Sequence, residues 1–222
     1  MPVIRAVTFD VGGTLIEPWP SVGHVYASVA REFGVHGLAP EKLTARFQRA
    51  WRARAAFDYT RAGWYDLVRE TFAERAAELP AGFFPAVYDR FAVPAAWRVY
   101  DDVRPALERL RQQGLKLGLI SNWDERLRPL LQRLELAAWF SRIVVSCELG
   151  VTKPDARLFH RAATALGVAP SELLHVGDDS VRDADGARAA GCHARLVRRG
   201  GAAGRSGAVR SLTELADVWP GN

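Results

Sequence analysis

Four short polar segments could carry chemistry, because each follows a predicted strand and offers a charged or hydrogen-bonding side chain. They are Asp10, Ser121 with Asn122, Lys153, and Asp178 with Asp183. A carboxylate can act as a nucleophile or bind a hard metal ion, while a lysine, a hydroxyl and an amide can hold an anion.

The elements around these segments place them at one edge of a sheet. Apolar runs of strand length lie at residues 3–9, 115–120, 143–146, 173–176 and 193–197. Helical patterns alternate with them at residues 103–113, 127–134, 155–166 and 181–190. Alternating strands and helices predict an α/β fold, with a Rossmann-like parallel sheet and helices on both faces. Ligands bind such sheets at the carboxyl ends of the strands, where the four polar segments fall.

A stretch of helical patterns interrupts this alternation directly after the first strand. Apolar side chains at helical spacing occur at residues 22–33, in a segment from Pro40, and at residues 64–79 and 84–91. Ser21 is a candidate cap for the first of these helices. We therefore predict an α/β core made of residues 1–16 and 96–222, with an all-helical cap at residues 17–95. Residues 199–208 read as a loop, followed by a short helix at residues 212–216.

Composition places the chain among soluble globular proteins. Of its 222 residues 49% are apolar and 25% charged, and the formal net charge is +5. The basic residues are mostly arginines and are dispersed, which favours an anionic small substrate over nucleic acid. Cys147 and Cys192 lack the spacing of a disulfide framework or a zinc site, so both are expected in the core of a reduced protein. The chain shows no signal peptide and no apolar run that could span a membrane, which predicts a cytoplasmic location.

The four segments are similar to the motifs of a known superfamily. FDVGGTL, SN, KPD and GDDSVRD resemble, in this order, the four motifs of the haloacid dehalogenase-like hydrolases. The helical insert resembles the cap of the first subfamily. DVGGTL followed by PSVGHVY resembles the subgroup of rhythmically-expressed-gene-two-like proteins.

The resemblance implies a magnesium-dependent phosphatase acting on a small phosphorylated substrate. Asp10 would attack phosphorus and form an aspartyl-phosphate, and Thr14 belongs to the implied catalytic set. Mg²⁺ would be held by Asp10, Asp178 and the backbone carbonyl of Gly12, with Asp183 holding metal-bound waters or Lys153.

The remaining implied roles concern the phosphate itself. Lys153 would neutralise both Asp10 and the phosphoryl group, and it counts as catalytic as well as substrate-binding. The Ser121 hydroxyl and the amide of Asn122 would bind phosphate oxygens beside the Gly12 loop. The protein is expected to act as a monomer or a homodimer, without a nucleic-acid or membrane partner.

One position departs from the family pattern. The family's phosphatases carry a second aspartate two residues after the nucleophile, which protonates the leaving oxygen, and here that residue is Gly12. General acid catalysis contributes typically ~10²–10⁴-fold. We therefore expect activity that is weakened or narrowed rather than abolished.

Several alternatives stay open. The protein could be a degenerate member that binds a phosphorylated ligand without turnover, or a 2-haloacid dehalogenase, although dehalogenases lack the carboxylate pair seen at Asp178 and Asp183. DVGGT also occurs in sugar kinases of the actin-like fold, which Pro18 and Pro20 argue against. Taken singly, Ser121 and Asn122 suit a turn, Lys153 a solvated surface, and Asp178 with Asp179 a helix cap. His175, inside an apolar strand, is expected to be a packed core residue.

Overall fold

The computed structural model of the chain describes residues 3–54, 56–199 and 208–215. The chain forms two compact units, one from Met1–Ile16 with Val99–Asn222 and one from Glu17–Arg98. Among the described residues, no helix has both the length and the apolar character needed to cross a membrane.

A five-stranded sheet forms the centre of the first unit, and all its strands are parallel. The strands of the described residues, two of which lie outside this sheet, are in chain order β1 (Ala6–Phe9), β2 (Ile16–Pro18), β3 (Trp97–Val99), β4 (Lys116–Ser121), β5 (Arg142–Val145), β6 (Leu173–Gly177) and β7 (His193–Leu196). The order across the sheet is β5-β4-β1-β6-β7, while β2 and β3 pair with each other. Phe9 at the end of β1 is in register with Leu119 and Val176. The residues that follow these positions therefore emerge together at one edge, as the sequence predicts.

Helices cover this sheet. Over the described residues, the α-helices of both units are α1 (Val22–Glu32), α2 (Pro40–Arg52), α3 (Arg61–Phe72), α4 (Phe83–Arg90), α5 (Val103–Gln112), α6 (Leu127–Arg133), α7 (Ser146–Leu149), α8 (Ala156–Leu166) and α9 (Gly186–Ala189). Of these, α5 to α9 belong to the unit that contains the sheet. On one face, Leu158 and Phe159 of α8 pack with Ala6 and Ile120 in a buried cluster. Because successive side chains of a strand point to opposite faces, Phe9 and its neighbours need a second apolar layer. Phe140 supplies part of it, with ring centroids 6.3 Å apart. The predicted α/β class is confirmed.

The second unit holds helices α1 to α4. Ser21 caps α1 by accepting a hydrogen bond from the backbone of His24, and Pro40 begins α2, as the sequence predicts. Apolar faces of these helices meet around the buried rings of Tyr26, Phe72 and Phe83.

Several predicted elements of the chain differ from the structure in extent. The helix predicted at 64–79 ends at Phe72, because Ala73 has a φ of +50° that an α-helix does not permit, and a 3₁₀ helix follows. The first strand covers only Ala6–Phe9, and Val3 is 52% exposed. The short strands β2 and β3 occur at the two ends of the segment predicted to be all-helical. The predicted loop at 199–208 falls largely outside the described residues, and in the last predicted helix the structure shows a 3₁₀ turn at Leu212–Glu214.

The expectation that both cysteines lie in the core is wrong for Cys147. Cys192 is buried, but Cys147 is exposed. The strand predicted at 143–146 ends one residue earlier, at Val145, and α7 begins at Ser146. The change from strand to helix buries Ser146 and directs Cys147 outward.

Candidate active site

A buried lysine connects two carboxylates at the carboxyl edge of the sheet. Lys153 Nζ lies 2.7 Å from Asp10 Oδ1 and 2.6 Å from Asp183 Oδ1. Its third hydrogen bond, of 3.0 Å, goes to the carbonyl of Ile120. All three N–H groups of the ammonium are therefore used. The structure brings together residues that are separated in the chain by 30 and 143 positions.

The charges of this group support one another. Lys153 is only 3% exposed. Burial acts to lower the pKa of Lys153, but the nearby charges of Asp10 and Asp183 outweigh it and raise the pKa above its ordinary value. Burial also acts to raise the pKa of Asp183, yet Lys153 and His175 hold it below its usual range. The lysine is therefore a fixed cation, and Asp183 is a fixed anion, at neutral pH.

Ser121 and Asn122 both touch this group, in different ways. The Ser121 hydroxyl donates to Asp10 Oδ1 at 3.0 Å. The side-chain amide of Asn122 forms two hydrogen bonds with the backbone of Lys153, accepting from its N–H at 2.7 Å and donating to its carbonyl at 3.1 Å. The side chain of Asn122 thus anchors the loop that carries Lys153.

Three carboxylates form a potential cation site. Oxygen atoms from Asp10, Asp178 and Asp183 all lie within 4.8 Å of one another. Burial, followed by the charges of Asp10 and Asp183, raises the pKa of Asp178 to about 7. Burial also raises the pKa of Asp10, despite the opposing effect of Lys153. Three carboxylates thus face one ammonium, and hard oxygen donors with excess negative charge fit a divalent cation such as Mg²⁺.

Two glycines make room for these carboxylates. A side chain on Gly13 would begin 2.6 Å from Asp178 Oδ2, and Gly13 has a φ of +76° that favours glycine. A side chain on Gly177 would begin 2.2 Å from Asp183 Cγ. Both carboxylates therefore pack directly against backbone, which the sequence pattern did not reveal.

A π-helix at Ser180–Asp185 sets the position of Asp183. Asp179 caps it by accepting hydrogen bonds from the backbone of Val181 and Arg182, as the sequence allowed. The backbone N–H of Asp179 in turn donates to Asp183 Oδ2 at 3.0 Å. The sequence predicts an ordinary helix at 181–190. The wider π turn, a form frequent at functional sites, instead directs Asp183 back toward the sheet.

Comparison with known proteins identifies the family. Residues 4–191 match the model of the haloacid dehalogenase-like hydrolases, a hydrolase family. The chain belongs to the haloacid dehalogenase-like hydrolases. This confirms the resemblance found in the four motifs.

Relatives of the chain include proteins of the expected subgroup. Haloacid dehalogenase-like hydrolase domain-containing protein 3 of Bos taurus is 36% identical over 208 residues, covering 87% of this chain and 82% of that protein. Rhythmically expressed gene 2 protein of Drosophila melanogaster is 29% identical over 216 residues, covering 87% and 82%. A glyceraldehyde 3-phosphate phosphatase of Methanopyrus kandleri is 32% identical over 210 residues, covering 89% and 85%.

Solved structures show the same fold in proteins of two activities. A HAD phosphatase from Thermococcus onnurineus superposes with a TM-score of 0.71 at 26% identity, covering 99% of both chains. The L-2-haloacid dehalogenase RSc1362 superposes with a TM-score of 0.75 at 20% identity, covering 98% and 99%. The fold alone therefore does not separate the two chemistries within the family.

The loop that follows Asp10 is held from a distant part of the chain. The carbonyl of Thr14 accepts a 2.6 Å hydrogen bond from Arg199, which also forms an ion pair of 2.6 Å with Asp102. The Thr14 hydroxyl is buried and has no hydrogen-bond partner among the described residues. Thr14 therefore lies in the loop where the sequence placed it but does not join the hydrogen bonds of Asp10 and Lys153. The role of Arg199 had no signal in the sequence.

The space above Gly12 contains the indole of Trp123. A Cβ atom on Gly12 would lie 3.4 Å from Trp123 Cζ3. The backbone of Trp123 is fixed by the Ser146 hydroxyl, which accepts from its N–H at 3.0 Å and donates to its carbonyl at 3.1 Å. Gly12 thus faces an apolar ring.

The raised pKa of Asp178 predicts how pH affects stability. In metal-free protein, between its ordinary pKa of 3.8 and about pH 7, folded Asp178 holds a proton that the unfolded chain releases. The free energy of unfolding therefore falls, through this group, as pH rises across that window. With EDTA present, we expect the wild-type Tm to fall relative to that of Asp178→Asn between pH 5 and pH 7.5. Parallel Tm curves for the two proteins would show that Asp178 does not carry this shift.

Proposed function

We propose that this hydrolase is a magnesium-dependent phosphatase that acts through an aspartyl-phosphate on Asp10. The observation that carries the proposal is the contact of Lys153 with Asp10 beside a cluster of three carboxylates. The phosphatases among the relatives and the solved structures support a phosphorylated substrate.

In the proposed reaction, the residues at the edge position the attack and balance its charge. Both side-chain hydrogen bonds to Asp10 described above reach Oδ1, from Ser121 and from Lys153. We assign Oδ2 as the attacking oxygen: it forms a bond to phosphorus while the bond to the leaving oxygen breaks. Lys153 stays protonated and offsets the negative charge near the phosphoryl group. Water then attacks the phosphorus of the aspartyl-phosphate: a new phosphorus–oxygen bond forms, the bond between phosphorus and Oδ2 breaks, and inorganic phosphate leaves with both protons of the water. Asp10 returns as a carboxylate.

The carboxylate cluster would hold the metal ion. Mg²⁺ would supply positive charge against the phosphoryl oxygens, which an anionic site otherwise repels. Asp10 and Asp178 are the proposed direct ligands, with the carbonyl of Gly12. Asp183 already accepts hydrogen bonds from Lys153, His175 and the backbone of Asp179. We therefore assign Asp183 to holding Lys153 and metal-bound water.

Gly12 narrows the range of substrates in this proposal. Position 12 is a glycine and has no carboxylic acid that could give a proton to the leaving oxygen. The neighbouring indole of Trp123 has no acidic group to replace it. The leaving groups of acyl and aryl phosphates depart without a proton, so these substrates should react, whereas hydrolysis of alkyl and sugar phosphates should be slow.

The main test of metal dependence is the hydrolysis of p-nitrophenyl phosphate with Mg²⁺ and with EDTA. Equal rates under the two conditions would contradict a metal-dependent phosphatase.

The helical unit Glu17–Arg98 is the proposed cap. In this assignment the cap selects the organic part of the substrate, while the α/β unit performs the chemistry. A screen of phosphorylated metabolites by leaving-group class would show whether acyl phosphates are preferred. Substitutions outside the cap should leave the order of preference unchanged among substrates that share one leaving-group class.

Removing one carboxylate of the cluster should abolish tight magnesium binding. Asp178→Asn removes a direct ligand and keeps the side-chain volume, so we expect Mg²⁺ affinity measured by calorimetry to fall by at least ~10-fold. Asp179→Asn is the matched control, because asparagine caps a helix as well as aspartate does. It should bind Mg²⁺ as the wild type does. Unchanged binding in Asp178→Asn would remove the metal site from the proposal.

A second candidate function is binding of a phosphorylated ligand without turnover. The Gly12–Trp123 arrangement favours it, because it removes the acid that turnover of ordinary phosphate esters requires. The two candidates differ in a single-turnover experiment: a phosphatase releases phosphate from an acyl phosphate, whereas a binding protein returns it intact. Release of chloride from a 2-haloacid would instead identify a dehalogenase.

A further inference from the structure

A buried histidine lies behind the proposed active site. His175, in the middle of β6, is only 1% exposed and both of its ring nitrogens have partners. Nδ1 lies 3.0 Å from the hydroxyl of Thr8 on the neighbouring strand β1. Nε2 lies 3.1 Å from Asp183 Oδ1. The ring also packs edge-to-face against Phe159, with centroids 5.2 Å apart.

The partners determine where the proton of the imidazole lies. Asp183 is an anion that also accepts from Lys153, so it can only accept a hydrogen bond, and Nε2 must carry the hydrogen. Burial holds the pKa of His175 below its ordinary value, so the ring is neutral and Nδ1 is an acceptor. Thr8 must then be the donor to Nδ1. Hydrogen bonds therefore run from the Thr8 hydroxyl through His175 to Asp183, and each donor in this series has an acceptor.

This series of hydrogen bonds continues to Asp10, the carboxylate that is proposed to react. Asp183 Oδ1 accepts from both His175 and Lys153, and Oδ2 accepts from the backbone of Asp179. Its carboxylate is thereby fixed by donors from three separate segments. Lys153 in turn spans the distance between Asp183 and Asp10. The direction of the lysine ammonium therefore depends on the direction of the Asp183 carboxylate.

We propose that His175 is a positioning residue: in its Nε2–H form, with Thr8 donating to Nδ1, it orients Asp183 and through it holds Lys153 against Asp10. Its effect on turnover rests on the proposed function, but its effect on Lys153 does not. His175 touches no reacting atom in this proposal. The sequence suggested only a packed core histidine, because its partners lie 167 and 8 positions away in the chain.

Nuclear magnetic resonance tests the proposal in the wild-type protein without any substitution. The chain has five histidines, and ¹⁵N labelling of their rings reports which nitrogen carries the proton. We expect the His175 ring in the neutral Nε2–H form, with slow exchange of that hydrogen. A ring found in the Nδ1–H form would overturn the proposal, because Nε2 would then have no hydrogen to give Asp183.

Substitutions test the link to Lys153. The chain has three lysines, so the ¹⁵Nζ signal of buried Lys153 can be resolved from those of Lys42 and Lys116. His175→Phe keeps a ring but removes the donor, and we expect the protected Lys153 signal to broaden or disappear. His175→Gln offers a replacement N–H donor and should retain much of it. Lys116, which donates to the carbonyl of Leu166 at 2.7 Å, is the internal reference and should not change.

His160→Phe is the matched control for the same change elsewhere. His160 bonds the carbonyl of Ala190 at 3.0 Å and has no described hydrogen bond to the site. The His160→Phe variant should leave the Lys153 signal unchanged. An unchanged Lys153 signal in folded His175→Phe would overturn the proposal. In kinetics with Mg²⁺, we expect His175→Phe to lower kcat by ~10–100-fold with little change in KM. If the wild type proves inactive, the proposed function fails while both resonance experiments still decide the role of His175.

Discussion

Asp10→Asn is expected to lower the turnover of an aryl phosphate by at least ~10⁴-fold while leaving the protein folded. The amide cannot attack phosphorus, yet it has nearly the same shape as the carboxylate it replaces. Lys153 keeps its ion pair with Asp183 at 2.6 Å, so the buried ammonium does not lose its only anion. The measurement is a steady-state assay on protein whose Tm has been checked.

Asp155→Asn is a suitable control for this substitution. Asp155 lies two residues after Lys153 and caps α8 by accepting from the backbone of Arg157 at 2.9 Å, a role that asparagine also fills. Its turnover should match the wild type. Acid quenching during turnover of a radiolabelled acyl phosphate should leave label on the wild-type protein and none on Asp10→Asn. An Asp10→Asn protein that keeps most of its activity would exclude Asp10 as the nucleophile.

Restoring an acid at position 12 should raise alkyl phosphate turnover only if Trp123 is also shortened. The backbone of Gly12 lies outside the left-handed region, so an L side chain meets no conformational barrier there. A Cβ atom would fit at 3.4 Å from Trp123 Cζ3, but a carboxylate beyond it would meet the indole. We expect little gain from Gly12→Asp and a gain of ~10–100-fold from Gly12→Asp/Trp123→Ala, within what a general acid supplies.

The kinetic design separates the new acid from a simple opening of the site. Trp123→Ala without the new carboxylate should show no gain on alkyl phosphates. Aryl phosphates, whose leaving groups need no proton, should respond less to the double substitution. The gain should also show a pH dependence absent from the wild type, because the new acid must be protonated to act. A folded double variant without any gain would mean that the missing acid does not limit the protein, and would favour the binding function.

Much of this arrangement could be predicted from local sequence. Apolar runs followed directly by Asp10, Ser121 and Asp178 mark strand ends, and the intervening helices require parallel strands. Parallel strands in register then bring these residues to one edge, as the pairing of Phe9 with Leu119 and Val176 shows. Helix starts at Ser21 and Pro40 were also readable, because caps and prolines act over a few residues.

Tertiary structure decided how these side chains are connected. The hydrogen bonds among Asp10, Lys153 and Asp183 join different loops. Whether the Ser121 hydroxyl donates to a carboxylate of the protein or to a bound anionic ligand depends on distances that no local pattern encodes. The same holds for Asn122: its binding of phosphate stays a prediction, and only the structure shows that its side chain anchors the Lys153 backbone.

The least predictable features depend on backbone geometry and on residues far apart in the chain. The π-helix that carries Asp183 looks like an ordinary helix in sequence, since one extra residue in a turn hardly changes an apolar pattern. His175 looks like any core residue until strand pairing places it beside Thr8. The sequence by itself determined the fold class, the position of the motifs at strand ends and the glycine at position 12, where the resemblance leads one to expect an acid. Only the packed structure determined that an indole fills the space beside Gly12 and that a histidine supports Asp183, because both follow from contacts between distant segments.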